Sequence, residues 1–355
     1  MSGCACSAAG GAGAIRSFAP VGSDWTLRDW FGAVSVRLNV GRMNYRVPPG
    51  LYPVGQPDAT APVFVTANYK LTFDHVRRAL RGLNAWLLVL DTLGVNVWCA
   101  AGKGTFSTAE LCRRIEATGL DRVVSHRRLV LPQLGAVGVA AHEVAKATGF
   151  TVVYGPVRAD DIPAWLRAGR RKDPAMRTVR FGLLDRLLLV PVEIVNARVY
   201  ALGLLAVALV LALIRGRGLS AGFPSLFAGH AVQLLGAVVA GGLLVPVLLP
   251  WLPTRSFAFK GAVIGLAWTA LAWAAAPHSG GGFWVAFSGG YPLAGAALLT
   301  AAIAAFVGLN FTGATVFTSQ SGTMLETKIA LPVIGVTAAA GLILQMVGAI
   351  QGPLS

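Results

Sequence analysis

The first half of the chain alternates short apolar runs with amphipathic stretches of helical length. Val63–Val65, Trp86–Leu90 and Phe150–Tyr154 are apolar runs that predict buried strands. Leu71–Arg81 and Val139–Ala147 lie between or beside these runs and carry apolar residues at helical spacing. Strands that alternate with helices of this length predict an α/β, Rossmann-like domain with a largely parallel sheet.

Local signals add boundaries to this pattern. Ser107 and Glu110 form a Ser-x-x-Glu capping box, and Gly119 ends the helix that follows. The segment 34–40 alternates Val and Leu with polar residues, which predicts a further half-buried strand. Prolines then predict an extended, loop-rich connection: Pro48, Pro49, Pro53, Pro57 and Pro62.

From Ile194 onward the pattern changes to long apolar stretches. Spanning a bilayer takes about 20 mainly apolar residues. Leu183–Val192 is interrupted by charges and a proline, so we expect it to lie along the membrane interface. The pattern predicts a flexible tail (1–30), an α/β domain (31–182) and an all-α transmembrane domain (183–355). Five stretches reach spanning length: Ile194–Ile214, Pro224–Leu249, Phe257–Ala276, Pro292–Phe311 and Ile329–Ile350.

Composition and charge agree with this division. Of the 355 residues 55% are hydrophobic, and the mean hydropathy of +0.64 is too high for an ordinary soluble protein. A basic cluster before the first apolar stretch predicts a multi-pass protein of the inner (cytoplasmic) membrane, in contact with lipid and with the α/β domain in the cytoplasm. Arg215 and Arg217 would then lie on the outer side, although basic residues are usually enriched on the cytoplasmic side. Few of the 30 Lys and Arg residues follow Arg198: Arg215, Arg217, Arg255, Lys260 and Lys328.

The sequence also gives no sign of nucleic-acid binding or of a signal peptide. Basic and aromatic residues are not interleaved and no DNA-binding motif is present, so the charge does not predict nucleic-acid binding. Residues 1–14 lack the basic region and apolar core of a signal peptide. We therefore expect reduced thiols at Cys4, Cys6, Cys99 and Cys112. The Cys-x-Cys pair at 4 and 6 is interpreted as a soft-metal relay or as two thiols of a disordered tail.

The segment 96–106 reads Asn-Val-Trp-Cys-Ala-Ala-Gly-Lys-Gly-Thr-Phe and holds the strongest chemical signal. It places a lone thiol, Cys99, between Trp98 and several small residues, so a large flat ligand could approach the backbone. A soft axial ligand to a macrocycle-bound metal should have these surroundings. A free cysteine is more often a buried apolar residue. A phosphate loop is excluded, because it would need Gly at 97 and Ser or Thr at 104, where the chain has Val97 and Gly104.

This segment resembles the motif of the mercury-methylating corrinoid proteins, which are related to the corrinoid iron-sulfur proteins of acetyl-CoA synthesis. Val65–Leu71, His126–Gly135 and Tyr154–Arg158 are similar to further segments of these families, in the same order. In those families the cysteine faces cobalt, so the resemblance implies a cobalamin-type corrinoid with Cys99 as the cobalt ligand. The implied binding residues are Asn96, Val97, Trp98, Cys99, Ala100, Ala101, Gly102 and Lys103.

Other candidate residues carry an open alternative. Thr66, Asn68 and Gln133 are predicted to contact the amide side chains of the corrin ring, or to cap their own backbone as Asn and Thr commonly do near strand ends. Lys103 is predicted to hold a carboxamide or phosphate, or to form a salt bridge. The Asp-x-His-x-x-Gly signature of histidine-ligated cobalamin is absent, so the histidines are interpreted as ordinary polar or core residues: His75, His126 and His142.

The resemblance implies a corrinoid-dependent methyltransferase in which a methyl-cobalt(III) centre transfers its methyl group to Hg(II) and forms methylmercury. A thiolate ligand donates electron density through the metal, which should favour transfer of a carbanion equivalent. The implied methyl donor is a methyl-tetrahydrofolate pathway. The chain has no Cys-x₂-Cys-x₂-Cys run, so a ferredoxin-like partner with two [4Fe-4S] clusters is expected to supply electrons.

Two alternatives compete with this function. The first is a membrane-bound corrinoid methyl carrier of a one-carbon or acetyl-CoA pathway that acts on another acceptor. The second is a membrane transporter or sensor with a cytoplasmic α/β domain, disfavoured because His230 is the only ionisable residue deep in a predicted span. The polar stretch Asn310–Gly322, continued by Glu326 and Lys328, is predicted to face a bundle interior or to join helices.

Overall fold

The computed structural model describes residues 19–220, 222–275, 290–311 and 316–351. Contacts divide these residues into two compact units. The first unit comprises residues 19–36 and Val40–Arg180, and the second comprises Arg37–Asn39 and the residues from Phe181 onward. Cys4 and Cys6 lie outside the described residues.

The first unit is an α/β domain built on a five-stranded sheet in the order β1-β3-β2-β4-β5. The strands β2 to β5 are mutually parallel, whereas β1 runs antiparallel to β3 at one edge. The predicted α/β class with a largely parallel sheet is confirmed. The strands are β1 (Gly50–Val54), β2 (Val63–Ala67), β3 (Ala85–Leu90), β4 (Arg128–Leu131) and β5 (Thr151–Tyr154).

Helices cover both faces of this sheet. Strand β2 is buried at every position, because apolar clusters pack against it from each side. Since the parallel strands share a direction, their carboxyl ends at Ala67, Leu90, Leu131 and Tyr154 meet at one edge. The helices of this unit are α1 (Leu27–Arg37), α2 (Lys70–Ala79), α3 (Val97–Lys103), α4 (Thr108–Thr118), α5 (Leu120–Val123), α6 (Ala141–Thr148) and α7 (Ile162–Arg167).

The amino-terminal part of the unit differs from its prediction. The predicted strand at 34–40 is wrong. Residues 34–37 belong to α1, whose buried positions Asp29, Ala33 and Val36 follow helical spacing, and residues 38–40 form the turn after it. The tail predicted for 1–30 is also too long. Residues 19–30 are folded, and Val21 donates a backbone hydrogen bond to Pro53 at 3.0 Å. Strand β1 lies within the stretch predicted as loop, where its edge position tolerates Pro53.

The predicted capping box is half formed. The Ser107 hydroxyl accepts from the Glu110 amide at 3.3 Å and caps α4, and Gly119 ends the helix in the left-handed conformation. The Glu110 carboxylate, however, accepts from the backbone amide of Asp91 at 2.8 Å. It also pairs with Arg114 at 2.8 Å. Glu110 therefore joins α4 to the loop that follows β3.

A buried ion-pair cluster joins α1 to α2. Asp74 is fully buried and pairs with Lys70 at 2.7 Å and with Arg77 at 2.8 Å, and Asp29 pairs with the same two cations at 2.5 and 2.8 Å. Burial alone raises the pKa of Asp29, but hydrogen bonds from Lys70 and Thr26 outweigh it and hold that pKa well below its usual range. The cluster holds the amino-terminal segment of the unit against α2.

The second unit is all-α. Two short helices, α8 (Leu183–Leu187) and α9 (Val190–Asn196), occupy the stretch predicted for the interface. Within the described residues, five of the following helices are long and apolar enough to cross a membrane, judged by length and composition. Membrane insertion and its orientation stay predictions. These helices are α10 (Arg198–Arg215), α11 (Phe223–Leu248), α12 (Phe257–Ala275), α13 (Gly290–Asn310) and α14 (Gln320–Gln351).

Small residues set the packing of this unit. A Cβ added at Gly261 or Gly265 would lie 2.2 Å from a backbone oxygen of α13, so α12 and α13 approach closely. Glu326 accepts hydrogen bonds from the Ser256 hydroxyl and the Ala258 amide, both at 2.9 Å, and thereby caps α12. This contact gives one residue of the polar stretch a structural role. Residues 312–315 of that stretch lie outside the described residues.

Candidate functional site

A cavity of about 310 Å³ lies at the carboxyl edge of the sheet in the first unit. Ligands of open α/β sheets bind at this edge, where strands end and loops begin. The walls come from the ends of β2 and β4, the loop after β5, one side of α2 and the starts of α3 and α7. The lining residues are Phe64, Val65, Thr66, Thr72, His75, Val76, Asn96, Val97, Trp98, Val130, Leu131, Pro132, Leu134, Gly155, Pro156, Val157, Ala159 and Ile162.

Helix α3 carries the predicted metal ligand beside this cavity. The Asn96 side chain accepts a hydrogen bond from the Cys99 amide at 2.9 Å and starts a helix there. Ala100 and Ala101 face the core and are buried. The helix therefore turns Cys99 outward, where its thiol is exposed beside Trp98.

The structure brings part of the predicted set together. Thr66, Asn96, Val97 and Trp98 line the cavity. Cys99 follows them on α3 without being part of the lining. Ala100 and Ala101 support α3 from the core side, and Gly102 and Lys103 are exposed at its end.

The hydroxyl of Thr66 is buried at the wall of the cavity. The residue is 1% exposed, and among the described residues no group forms a hydrogen bond with its Oγ1. An unpaired buried polar atom costs about 1–3 kcal/mol. Because Thr66 lines the cavity, a polar ligand group there would satisfy this atom.

Asn68 forms hydrogen bonds with the backbone, which was the alternative to its predicted contact with the corrin ring. Its side-chain oxygen accepts from the amides of Thr92 and Gly94 at 3.1 and 2.9 Å, and its amide nitrogen donates to Asp91 at 3.0 Å. Asn68 thus holds the loop after β3 in the shape that leads to α3. Its predicted contact with a corrin amide stays a prediction, and Asn68 is not part of the cavity lining.

Gln133 also lies outside the lining. Its side-chain oxygen accepts a hydrogen bond from Lys172, and its backbone amide donates to the carbonyl of Pro156 at 3.4 Å. Gln133 thereby connects the loops that follow β4 and β5.

The histidine-containing stretch that begins at His126 is divided between the two edges of the sheet. His126 accepts from the Arg128 amide at 3.2 Å and lies 2.9 Å from the Ala61 carbonyl, at the amino end of β4. Only its second half, at Leu131, Pro132 and Leu134, reaches the cavity. This histidine is an ordinary structural residue, as interpreted from the sequence.

His75, interpreted from the sequence as an ordinary polar or core residue, lies on the cavity wall. It lies on α2 with Thr72 and Val76, and all three line the cavity. Their spacing of three and four residues puts them on one helix face. That spacing was visible in the sequence, but it did not tell which face looks toward the strand ends.

Gly102 gives a test of ligand approach that separates binding from folding. A Cβ at Gly102 would meet no atom within 4 Å, whereas a Cβ at Gly138 would lie 2.0 Å from the Phe106 carbonyl oxygen. We expect Gly102→Ala to leave the melting temperature unchanged or higher, because alanine favours a helix by about 0.5–1 kcal/mol. Gly138→Ala should lower it.

If a flat ligand packs on α3, the added methyl should also weaken hydroxocobalamin binding by about 5- to 150-fold, since overpacking costs roughly 1–3 kcal/mol. Equilibrium binding and thermal unfolding of the full chain measure the two effects. Unchanged binding in Gly102→Ala would contradict close approach at this position.

Comparison with known proteins places similarity on this unit alone. Residues 40–166 match the family model described as CO dehydrogenase/acetyl-CoA synthase delta subunit. These residues include β1 to β5 and the whole cavity lining. The matched segment therefore contains the candidate site, and the second unit lies outside it.

Curated relatives align with this chain over a similar number of residues. The acetyl-CoA decarbonylase/synthase complex subunit gamma of Archaeoglobus fulgidus is 36% identical over 138 residues, which cover 38% of this chain and 29% of that protein. That of Methanopyrus kandleri is 37% identical over 122 residues, 34% of this chain and 26% of that protein. The corrinoid/iron-sulfur protein large subunit of Moorella thermoacetica is 32% identical over 125 residues, 35% and 28% respectively. The chain thus spans less than a third of the length of these relatives.

Proposed function

We propose that the first unit binds a corrinoid and that the chain acts in corrinoid-dependent methyl transfer. The observation that carries the proposal is the exposed Cys99 thiol beside a cavity at the carboxyl edge of a parallel sheet. The similarity of this segment to subunits named for acetyl-CoA decarbonylase/synthase and for a corrinoid/iron-sulfur protein supports it.

The residues present fit such a ligand. The unpaired Thr66 hydroxyl offers a hydrogen bond to an amide of the corrin rim. Trp98, which is 43% exposed, offers an apolar surface for the macrocycle. Cys99 offers the soft ligand that a polarizable metal centre prefers. When bound, the corrinoid would supply a cobalt that carries a methyl group between donor and acceptor.

The residues of the chain would bind the corrinoid, orient the Cys99 thiol and exclude water. Asn96 fixes the start of α3 and with it the direction of the Cys99 thiol. Val97, Leu131 and Pro156 form apolar walls that keep water from one side of the site. Electron donation from the thiolate would favour transfer of the methyl group with its bonding electrons.

The proposal also concerns which molecule accepts the methyl group. The comparisons favour a methyl carrier of a one-carbon or acetyl-CoA pathway, since the relatives carry names from that chemistry. Hg(II) is the alternative acceptor and rests on the resemblance of the Cys99 segment to mercury-methylating proteins and on the soft thiolate. In both versions we propose that a methyl-tetrahydrofolate pathway supplies the methyl group.

The remaining partners follow from the same proposal. Because the cobalt must be returned to a reduced state, we propose an iron-sulfur protein with two [4Fe-4S] clusters as electron donor. We also propose that helices α10 to α14 lie in lipid of the cytoplasmic membrane, on the basis of their length and hydropathy.

The test begins with the full chain purified in detergent under reducing conditions and mixed with hydroxocobalamin. We expect it to retain an equimolar amount of corrinoid through gel filtration, with an absorbance spectrum shifted from that of the free compound. The loaded protein is then given a methyl donor and either Hg(II) or a thiol acceptor. Failure to retain corrinoid would refute the proposal, and the acceptor that gains the methyl group decides between its two versions.

A further inference from the structure

Lys172 joins two loops at the rim of the cavity. Its Nζ donates a hydrogen bond to the side-chain oxygen of Gln133 and another to the carbonyl of Gly155 at 3.4 Å. Gly155 lines the cavity, as do Pro132 and Leu134 on either side of Gln133. The ammonium group is therefore placed where the loops after β4 and β5 meet, at the edge of the candidate site.

The two hydrogen bonds of Lys172 do not neutralise its charge. Both acceptors are neutral, and among the described residues its Nζ forms no salt bridge. The neighbouring Asp173 directs its carboxylate to the amide of Met176 at 2.7 Å. Burial lowers the pKa of Lys172, and the positive charge of Arg177 lowers it further. Lys172 thus brings a positive charge to the rim that neither of its hydrogen-bond acceptors neutralises.

The segment that carries this cation is held in place. Val157, in the loop after β5, donates a backbone hydrogen bond to the Met176 carbonyl at 2.9 Å. The turn closed by Asp173 lies between Lys172 and that contact. Lys172 is therefore a positioned charge rather than a freely moving surface lysine, and positioning of this kind reduces the entropy lost when a ligand binds.

We infer that Lys172 binds a phosphate group of the ligand that occupies the cavity, an inference that rests on the proposed function. An ammonium group has three donors, of which the two neutral acceptors use two. A phosphate oxygen would take the third and neutralise the charge in a charge-assisted hydrogen bond. Cobalamin carries a phosphodiester in its nucleotide tail, whereas cobinamide ends before that group. Lys172 should therefore distinguish these two corrinoids.

The test measures the affinity of the full chain in detergent for hydroxocobalamin and for diaquocobinamide. Lys172→Met should weaken hydroxocobalamin binding by at least about tenfold, the loss expected for one hydrogen bond to a charged group. It should leave diaquocobinamide binding within about twofold. Lys172→Arg should retain most of the preference, since it keeps the charge. Lys146→Met removes an exposed lysine of α6 and is the matched control.

Several outcomes overturn the inference. An equal loss for both corrinoids would make Lys172 a structural brace, as would a fall in the melting temperature without a change in the preference. If the wild-type chain binds neither corrinoid, the proposed function fails. Calorimetry with inorganic phosphate then decides the inference by itself. Absence of binding, or equal binding by wild type and Lys172→Met, would refute it.

Discussion

Replacing Cys99 with alanine should abolish sulfur ligation of the bound corrinoid and lower methyl transfer by roughly two orders of magnitude or more, since even groups outside a metal's direct ligands contribute 10–100-fold. The reason is geometric as well as chemical. Asn96 caps the amide of Cys99, so the backbone of α3 should keep its position in the variant. The loss should then come from the thiol alone. Absorbance and EPR spectra report the ligand, and a methyl-transfer assay with the preferred acceptor reports the rate.

Two controls sharpen this result. Cys112→Ala removes the other described thiol, which is half-buried beside the core, and should leave the spectrum unchanged. His75→Ala tests the nitrogen ligand that the cavity wall offers. If Cys99→Ala keeps the wild-type spectrum and His75→Ala changes it, the histidine is the ligand and the thiolate argument is wrong. Cys99→His should bind corrinoid but transfer methyl more slowly, because imidazole donates less electron density.

Replacing Arg77 with methionine should destabilise the first unit by about 3–5 kcal/mol, the usual cost of removing one partner from a buried ion pair. Arg77 is 6% exposed, and it pairs with Asp29 and with the fully buried Asp74. It also donates to the carbonyls of Gly22 and Asp24. The loss should appear first as faster amide hydrogen exchange in residues 19–37, measured by mass spectrometry on the full chain.

The chain contains its own comparison for this effect. Arg81 pairs with Asp24 at 3.3 Å, but both side chains are about 70% exposed. Exposed pairs contribute about 0–1 kcal/mol, so Arg81→Met should leave exchange almost unchanged. Similar exchange in Arg77→Met and Arg81→Met would contradict a stabilising role for the buried cluster.

Acid should weaken the same cluster. The pKa of Asp29 is held low in the folded chain, so the stability it contributes is fully present above its unfolded pKa of about 3.9. That contribution is lost as the pH falls below this value toward the folded pKa. Exchange of residues 19–37 should therefore rise, beyond its intrinsic pH dependence, below about pH 4, and less so in Arg77→Met than in the wild type.

Periodicity predicted most of the sheet because its strands are continuous apolar runs. Strands β2, β3 and β5 appear where such runs occur, and the helices α4 and α6 end at Gly119 and Gly149 as expected. The segment 34–40 misled this reasoning, because its alternation of apolar and polar residues does not reflect burial: Val36 is buried, whereas Val34 and Leu38 are exposed. The helix that includes residues 34–37 is tied to α2 through Asp29, which pairs with Lys70.

The site was predictable in its chemistry and less so in its geometry. The small residues around Cys99 indicated that a large flat ligand could approach, and the structure places Cys99 exposed on α3. The sequence left two roles open for Asn68, and only the spatial positions of Thr92 and Gly94 show its backbone contacts. The position of His75 on the cavity wall and that of Lys172 at the rim were not predicted, because both depend on how distant segments meet.

The segment similar to known proteins is shorter than the segment that holds itself together. The match covers residues 40–166, whereas Asp29 lies before it and Lys172 and Met176 lie after it. A fragment trimmed to the match would leave Lys70 and Arg77 with one buried carboxylate instead of two, and it would lack the residues that brace the loops after β4 and β5. The segment matched by similarity and the compact first unit thus have different borders. An expression boundary drawn from similarity alone would remove contacts that stabilise the edge of the sheet where the cavity lies.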